Sequence, residues 1–321
     1  MVKRNGGRIG RDAGAGGTMS GQGGSMIIAR QEDVTQAVLA AMDGAEDVRL
    51  RTVMASFVRH LHAFAREVSL TEAEFEHAID FLNRIGQATN DSHNEGVLFS
   101  DAVGLSTLVC LLNNGQGGAT ETAAALLGPF WRANAPMTET GGSILRSPTP
   151  GAPLFVDCLI RDGQGAPIEG VRVDVWQASP SGMYENQDES QADMNLRGVF
   201  TTDAQGRFAF RSVKPAGYPV PTHGPTGEML AAQQRHPFRP AHLHVLAYKP
   251  GFKTLITQVF VDDDAHLESD VVFGVTRALI GDFRKGQGPA PAADVSGDWF
   301  SLAYTFVMEQ GDAVLPTPPI K

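Results

Sequence analysis

At 321 residues the chain suffices for one large domain or two modest ones, and a 42% hydrophobic content is that of a globular protein with a core. A formal charge of -10 argues against a nucleic-acid or anionic-membrane partner. No run of about eighteen consecutive apolar residues occurs, so no membrane span is expected. The two cysteines, Cys110 and Cys158, show no metal-ligand spacing and no disulfide framework. That pattern fits a reducing cytoplasm.

Residues 1–25 are rich in glycine and carry Lys3, Arg4, Arg8 and Arg11 without an apolar leader core. They read as a disordered tail, or as an upstream start with the natural start at Met19 or Met26. From about Gln31 to Arg132 the pattern is helical, so residues 26–135 are expected to form an α-helical domain. Leu50, Val53, Met54, Phe57, Leu61, Phe64 and Val68 recur every three or four residues, one apolar stripe on a helix. Thr71 and Glu74 predict a capping box, with Leu70 and Phe75 as its hydrophobic staple. Ile79, Leu82 and Ile85 continue that helix's buried face. A further helix is expected near Leu105 to Leu112, ended by Asn113-Asn114-Gly115.

After Pro136 short β-rich runs alternate with turn signals, and residues 136–321 are expected to form an antiparallel β-sandwich. Leu154 to Ile160 predicts a strand, followed by a turn at Asp162-Gly163-Gln164-Gly165. Val171, Val173 and Val175 alternate with Arg172 and Asp174. Phe200 to Thr202, Phe208 with Phe210, His242 to Tyr248 and Leu255 to Val261 continue the strand pattern. The helical signal returns weakly after Val272. Helices first and strands afterwards predict a mixed, mainly β protein with a separate N-terminal helical segment.

The segment Arg239-Pro240-Ala241-His242-Leu243-His244 carries the strongest local chemistry. Residues two apart on a strand share a face, so His242 and His244 present paired imidazoles. Such a pair is compatible with a metal, a solvated face or a hydrogen-bonded core pair. Catalytic zinc needs a third His, a Glu or a Cys, and a ferrous facial triad needs a carboxylate. Asp262, Asp263, Asp264 and Glu268 cluster with His266 nearby, in what reads as a solvated turn. Tyr184 and Tyr218 lie in turn-rich stretches, where a rigid scaffold positions functional groups. Two phenolates beside two imidazoles would favour a ferric ion.

Five segments together are similar to the intradiol ring-cleavage dioxygenases. They are Leu126-Leu127-Gly128-Pro129-Phe130, Asp174-Val175-Trp176-Gln177-Ala178 leading to Gly182 and Tyr184, Asn195-Leu196-Arg197-Gly198, Gly217-Tyr218-Pro219, and Arg235-His236-Pro237-Phe238 running into the histidine pair. The resemblance spans about residues 30 to 310. It implies that Tyr184, Tyr218, His242 and His244 bind one non-heme iron(III) per subunit. It further implies that Arg239 stands beside the substrate and Gln258 near the iron as catalytic groups, and that Tyr218 leaves the metal as a proton acceptor. A β-sandwich with an N-terminal helical dimerisation domain follows, as does a homodimer joined through those helices, often with lipid at the interface.

Gln177, Pro219-Val220-Pro221, Pro237-Phe238 and the run from Val271 to Val275 resemble the hydroxyquinol-cleaving branch. By that likeness Leu98, Asp101, Gly128, Phe130, Val220, Pro221 and Val272 line the pocket. Asp101 would accept a hydrogen bond from a third ring hydroxyl; it also reads as an N-cap for the helix near Leu105. His223 departs from the branch pattern, and Gln258 is more like catechol enzymes. The expected reaction is hydroxyquinol and O2 to maleylacetate, with catechol to cis,cis-muconate as the second reading. A competing class is a non-enzymatic, prealbumin-like binding module, in which Tyr218 is a corner residue and the histidines are incidental.

Overall fold

A computed structural model describes residues 27–114 and 122–320. The expectations for the glycine-rich segment 1–25 and for the Gly115 helix stop lie outside those residues. The chain divides into two compact units, the first ending at Ala78 and the second beginning at Ile79.

The first unit contains α1 (Gln31–Ala41), α2 (Val48–Glu67) and the start of α3 (Glu72–Ala88). Asp47 caps α2 by accepting from the Leu50 amide at 2.9 Å. The capping box of α3 forms as expected. The Thr71 amide donates to Glu74 at 2.9 Å, and the Glu74 amide donates back to Thr71 Oγ1 at 3.3 Å. The apolar stripe of α2 lies on one face, but its side chains are exposed, Phe57 at 55%. On α3, Ile85 is buried as expected, whereas Ile79 and Leu82 are exposed. Helical periodicity locates an apolar face without specifying what covers it.

The second unit adds α4 (Glu95–Ala102) and α5 (Leu105–Asn114). The expected helical region runs too far, because residues 122–135 are irregular. Ala123 to Leu126 are nonetheless buried. This segment is satisfied by neighbouring strands: the Thr122 amide donates to the Val307 carbonyl and that of Ala125 to Ile256.

Among the described residues eleven strands follow: β1 (Pro153–Asp162), β2 (Arg172–Trp176), β3 (Arg197–Thr201), β4 (Arg207–Val213), β5 (Tyr218–Pro219), β6 (Phe238–Arg239), β7 (His242–Tyr248), β8 (Leu255–Val261), β9 (Ile280–Gly281), β10 (Arg284–Lys285) and β11 (Phe300–Met308). One sheet has the order β10-β11-β1-β4, the other β3-β2-β7-β8-β9, and β5 pairs with β6 as a separate ribbon. Most pairings are antiparallel as expected, but β1 with β11 and β8 with β9 run parallel, so the sandwich is mixed. Leu154, Val156, Phe208 and Phe306 from one sheet meet Val173, Val175, Val245 and Val259 from the other in the main core. An additional helix, α6 (Pro225–Ala232), has Pro225 in its first turn. Among the described residues no single helix is long and apolar enough to cross a membrane.

Candidate metal centre

Strand alternation builds the site. Leu243, Val245 and Ala247 of β7 enter the sandwich core. His242 and His244 therefore project from the other face of the same sheet, where both are buried. Trp176, opposite His244 on β2, stacks on its ring at 4.6 Å and 7°. Tyr184 ends the loop after β2, and its amide donates to Gln187 at 3.0 Å. Gly182, at φ +82°, lets that loop close on Tyr218: an added Cβ would lie 3.1 Å from the Tyr218 Cβ. Tyr218 lies opposite Arg239 in the β5–β6 ribbon.

These elements bring four donor atoms together. His242 Nε2 lies 3.0 Å from His244 Nε2, which lies 3.1 Å from the Tyr184 hydroxyl; that hydroxyl lies 3.2 Å from the Tyr218 hydroxyl. Nitrogen and oxygen donors about 2.0–2.1 Å from a shared cation are themselves about 3 Å apart. The set fits a metal ion. His242 Nδ1 donates to the Pro240 carbonyl at 2.7 Å, leaving the Nε2 lone pair facing the other donors. Burial, and then Arg239, push the His242 pKa down to about 3. Burial and His242 push His244 well below the usual histidine range. Both imidazoles are neutral at physiological pH, the form in which a histidine can bind a metal. Burial raises both tyrosine pKa values, with the neighbouring Tyr218 adding to the effect at Tyr184. A hard cation is what would ionise them.

Zinc and ferrous readings do not gain their extra ligand. Among the described residues no third His, Cys, Asp or Glu joins the pair. Asp262 accepts from the Phe283 amide, Asp263 pairs with Lys214, and Asp264 accepts from the Ala241 and His266 amides. Glu268 is exposed.

Arg239 is buried beside the donors, its Nη1 3.2 Å from His242 Nε2. Gln258 accepts from Arg239 Nη2 at 2.9 Å and donates to the Leu126 carbonyl at 2.7 Å. Leu98, Val220 and Val272 join one buried apolar cluster. Phe130 stacks on Tyr184 at 4.6 Å. Gly128 lies over His244, where an added Cβ would be 3.4 Å from the ring. Pro221 is half-buried, and His223 is exposed. Asp101 is not an N-cap, since it lies in the last turn of α4, and the Gly104 carbonyl accepts from Leu108 at the start of α5. Its side chain is buried, and burial raises its pKa to about 6.

Several contributors escaped the sequence reading. Arg197, 1% exposed, pairs with Glu185 at 2.7 Å and donates to the Phe130 carbonyl at 2.6 Å, bracing the ring that backs Tyr184. Asp270 pairs with Arg239 at 3.2 Å. The Arg197 motif was visible, but Asp270 stood among loop acids with no spacing to mark it. A binding module with incidental histidines does not account for this convergence.

The catechol dioxygenase N-terminus family model matches residues 47–120, and a dioxygenase family model matches residues 126–310. The chain is 41% identical over 283 residues to hydroxyquinol 1,2-dioxygenase of Rhizobium sp. (strain MTP-10005), covering 87% of this chain and 95% of the relative. It is 38% identical over 256 residues to catechol 1,2-dioxygenase of Candida albicans, covering 78% and 84% of the two chains. The crystal structure of hydroxyquinol 1,2-dioxygenase from Pseudomonas putida DLL-E4 superposes with a TM-score of 0.79 at 38% identity, covering 88% of this chain and 99% of that one. Fold, donor set and relatives agree: the chain belongs to the intradiol ring-cleavage dioxygenases, enzymes whose cofactor is a non-heme iron ion.

Proposed function

We propose that this enzyme holds one iron(III) per subunit through Tyr184, Tyr218, His242 and His244 and opens hydroxyquinol between its adjacent hydroxyls, giving maleylacetate. The convergence of two phenols and two neutral imidazoles within 3.0–3.2 Å of one another carries this reading. When bound, ferric iron supplies a Lewis acid that draws electron density from the chelated ring and opens it to O2. The chain's residues do the rest. Tyr218 Oη receives a substrate hydroxyl proton. Arg239, a permanent cation, stabilises negative charge developing on the ring. Gln258 steadies that guanidinium from the Leu126 side. Leu98, Val220 and Val272 keep water out, while Gly128, Phe130 and Pro221 shape the remaining wall. Asp101, ionised above about pH 6, accepts from the third ring hydroxyl.

The exposed apolar stripe on α2 supports a homodimer through the N-terminal helices, and a lipid held in that apolar contact is part of the same proposal. The free thiols Cys110 and Cys158 suit a cytoplasmic enzyme. The N-terminal helical and linker portion is taken to reach residue 135, with the irregular segment 122–135 as its linker, and the catalytic domain to begin at 136. The test is O2 uptake by iron-loaded protein given hydroxyquinol and catechol side by side. We expect kcat/KM to favour hydroxyquinol by about tenfold or more, the worth of one buried hydrogen bond. A preference for catechol would install the muconate-forming reading, and no uptake on either would end both.

A further inference from the structure

Arg239 could swing in a site that merely buried it, but three hydrogen bonds hold its rear edge. Nε donates to Asp270 Oδ1 at 3.2 Å, and Nη2 donates to Asp270 Oδ2 at 3.3 Å and to Gln258 at 2.9 Å. The opposite end faces the four proposed donors, with Nη1 3.2 Å from His242 Nε2. Asp270 is itself fixed by its own turn. Its Oδ1 accepts from the Val272 amide at 3.3 Å and its Oδ2 from the Gly274 amide at 2.9 Å. Gly274 keeps that backbone close, since an added Cβ would lie 3.2 Å from both Arg239 Nη2 and Asp270 Oδ2. The turn is anchored on further sides. The Val271 amide donates to the Phe238 carbonyl, Thr107 Oγ1 donates to the Val272 carbonyl at 2.9 Å, and Arg235 donates to the Val271 carbonyl at 2.8 Å.

We propose that Asp270 is the positioning residue of Arg239: its carboxylate locks the guanidinium's rear edge to the Val271–Val272 pocket wall, so that the Nη1 end alone is presented to the substrate. The proposal rests on reading Arg239 as a group beside the substrate. Physically, a planar cation held along one edge keeps a single orientation through turnover, and the same carboxylate neutralises a charge buried at 4% exposure. A displacement of about 1 Å at such a group costs roughly a hundredfold in rate. The turn thereby couples wall and cation, since moving Val272 moves the carboxylate that aims Arg239.

The experiment compares Asp270→Asn, Arg239→Ala and the double variant in the full-length, iron-loaded protein. Asp270→Asn is expected to keep its iron content and its phenolate-to-iron absorption. It should lose about 10- to 100-fold in kcat with little change in KM. Added to Arg239→Ala it should cost nothing further, because the two act as one unit. Losses that multiply would overturn the proposal, and so would a loss confined to KM. Full turnover by Arg239→Ala would instead remove the reading of Arg239 itself. A second readout needs no metal: urea midpoints of the apo-protein. Asp270→Asn alone strands a buried guanidinium and should lower the midpoint while leaving the protein folded, and Arg239→Met/Asp270→Asn should recover most of the loss. No recovery in the double variant would assign Asp270 to the turn backbone and not to Arg239.

Discussion

In the helical unit the residues that break the usual rule of burial are apolar and exposed; beside the β-sandwich they are polar and buried. Leu50, Phe57, Leu61 and Phe64 face outward on α2, whereas His242, His244, Tyr184, Tyr218, Arg239 and Asp270 are enclosed. Each pattern works against stability in an isolated chain. Exposed apolar surface forgoes roughly 25 cal/mol for each Å² left in water. Buried polar groups cost free energy unless their partners are complete. On the function proposed above the two departures have opposite uses: one region would meet another apolar surface and the other would hold a cation. Four substitutions test that contrast.

The largest effect is expected at the polar centre. Tyr184→Phe removes one donor while keeping the ring that stacks on Phe130. Iron affinity and turnover should both fall by about 100-fold or more, beyond the 10- to 100-fold typical of groups that merely support a ligand. Metal analysis and O2 uptake check this, and unchanged activity would take Tyr184 out of the ligand set.

At the apolar face, Phe57→Glu places a charge in the stripe. Sedimentation should show the wild type as a dimer and the variant shifted to monomer, with iron binding kept. A monomeric wild type would break the comparison on the helical side.

Asp101 tests the boundary between stability and function. Its pKa is raised by burial from 3.8 to about 6, so the native state binds its proton more tightly than the unfolded chain. Its contribution to stability is present below about pH 4 and is lost as pH rises through about 6. Asp101→Asn should therefore stabilise the protein by up to ~3 kcal/mol above pH 6, with the gain vanishing below pH 4. It should also lose more turnover on hydroxyquinol than on catechol. Melting temperatures across pH check the first, paired assays the second; a stability gain independent of pH would contradict the burial account.

The smallest effect concerns Gly217. An added Cβ would meet Asp264 Oδ2 at 2.8 Å and the Arg239 carbonyl at 2.9 Å. Gly217→Ala should cost about 1–3 kcal/mol of stability by overpacking and loosen Tyr218 beside it. Wild-type stability in this variant would show that the ribbon has slack.

The strands that carry the site were legible because β7 alternates strictly: His242 and His244 fall on one face and Leu243 and Val245 on the other. Tyr184 and Tyr218 were legible only through the family motifs, since two loop tyrosines 34 residues apart carry no period. The parallel pairing of β1 with β11 was hidden because parallel and antiparallel strands share the same two-residue alternation. Helix α6 was hidden by its Pro225 and Gly227, which read as turn chemistry. Asp270 was hidden because its partner lies 31 residues away and only the folded ribbon brings them together.

Iron titration of the apo-protein followed by visible absorption tests the ferric centre most directly. A burgundy phenolate-to-iron(III) band should grow to one iron per chain and largely disappear in Tyr184→Phe. Saturation without colour, or an unchanged band in that variant, would contradict the ferric centre.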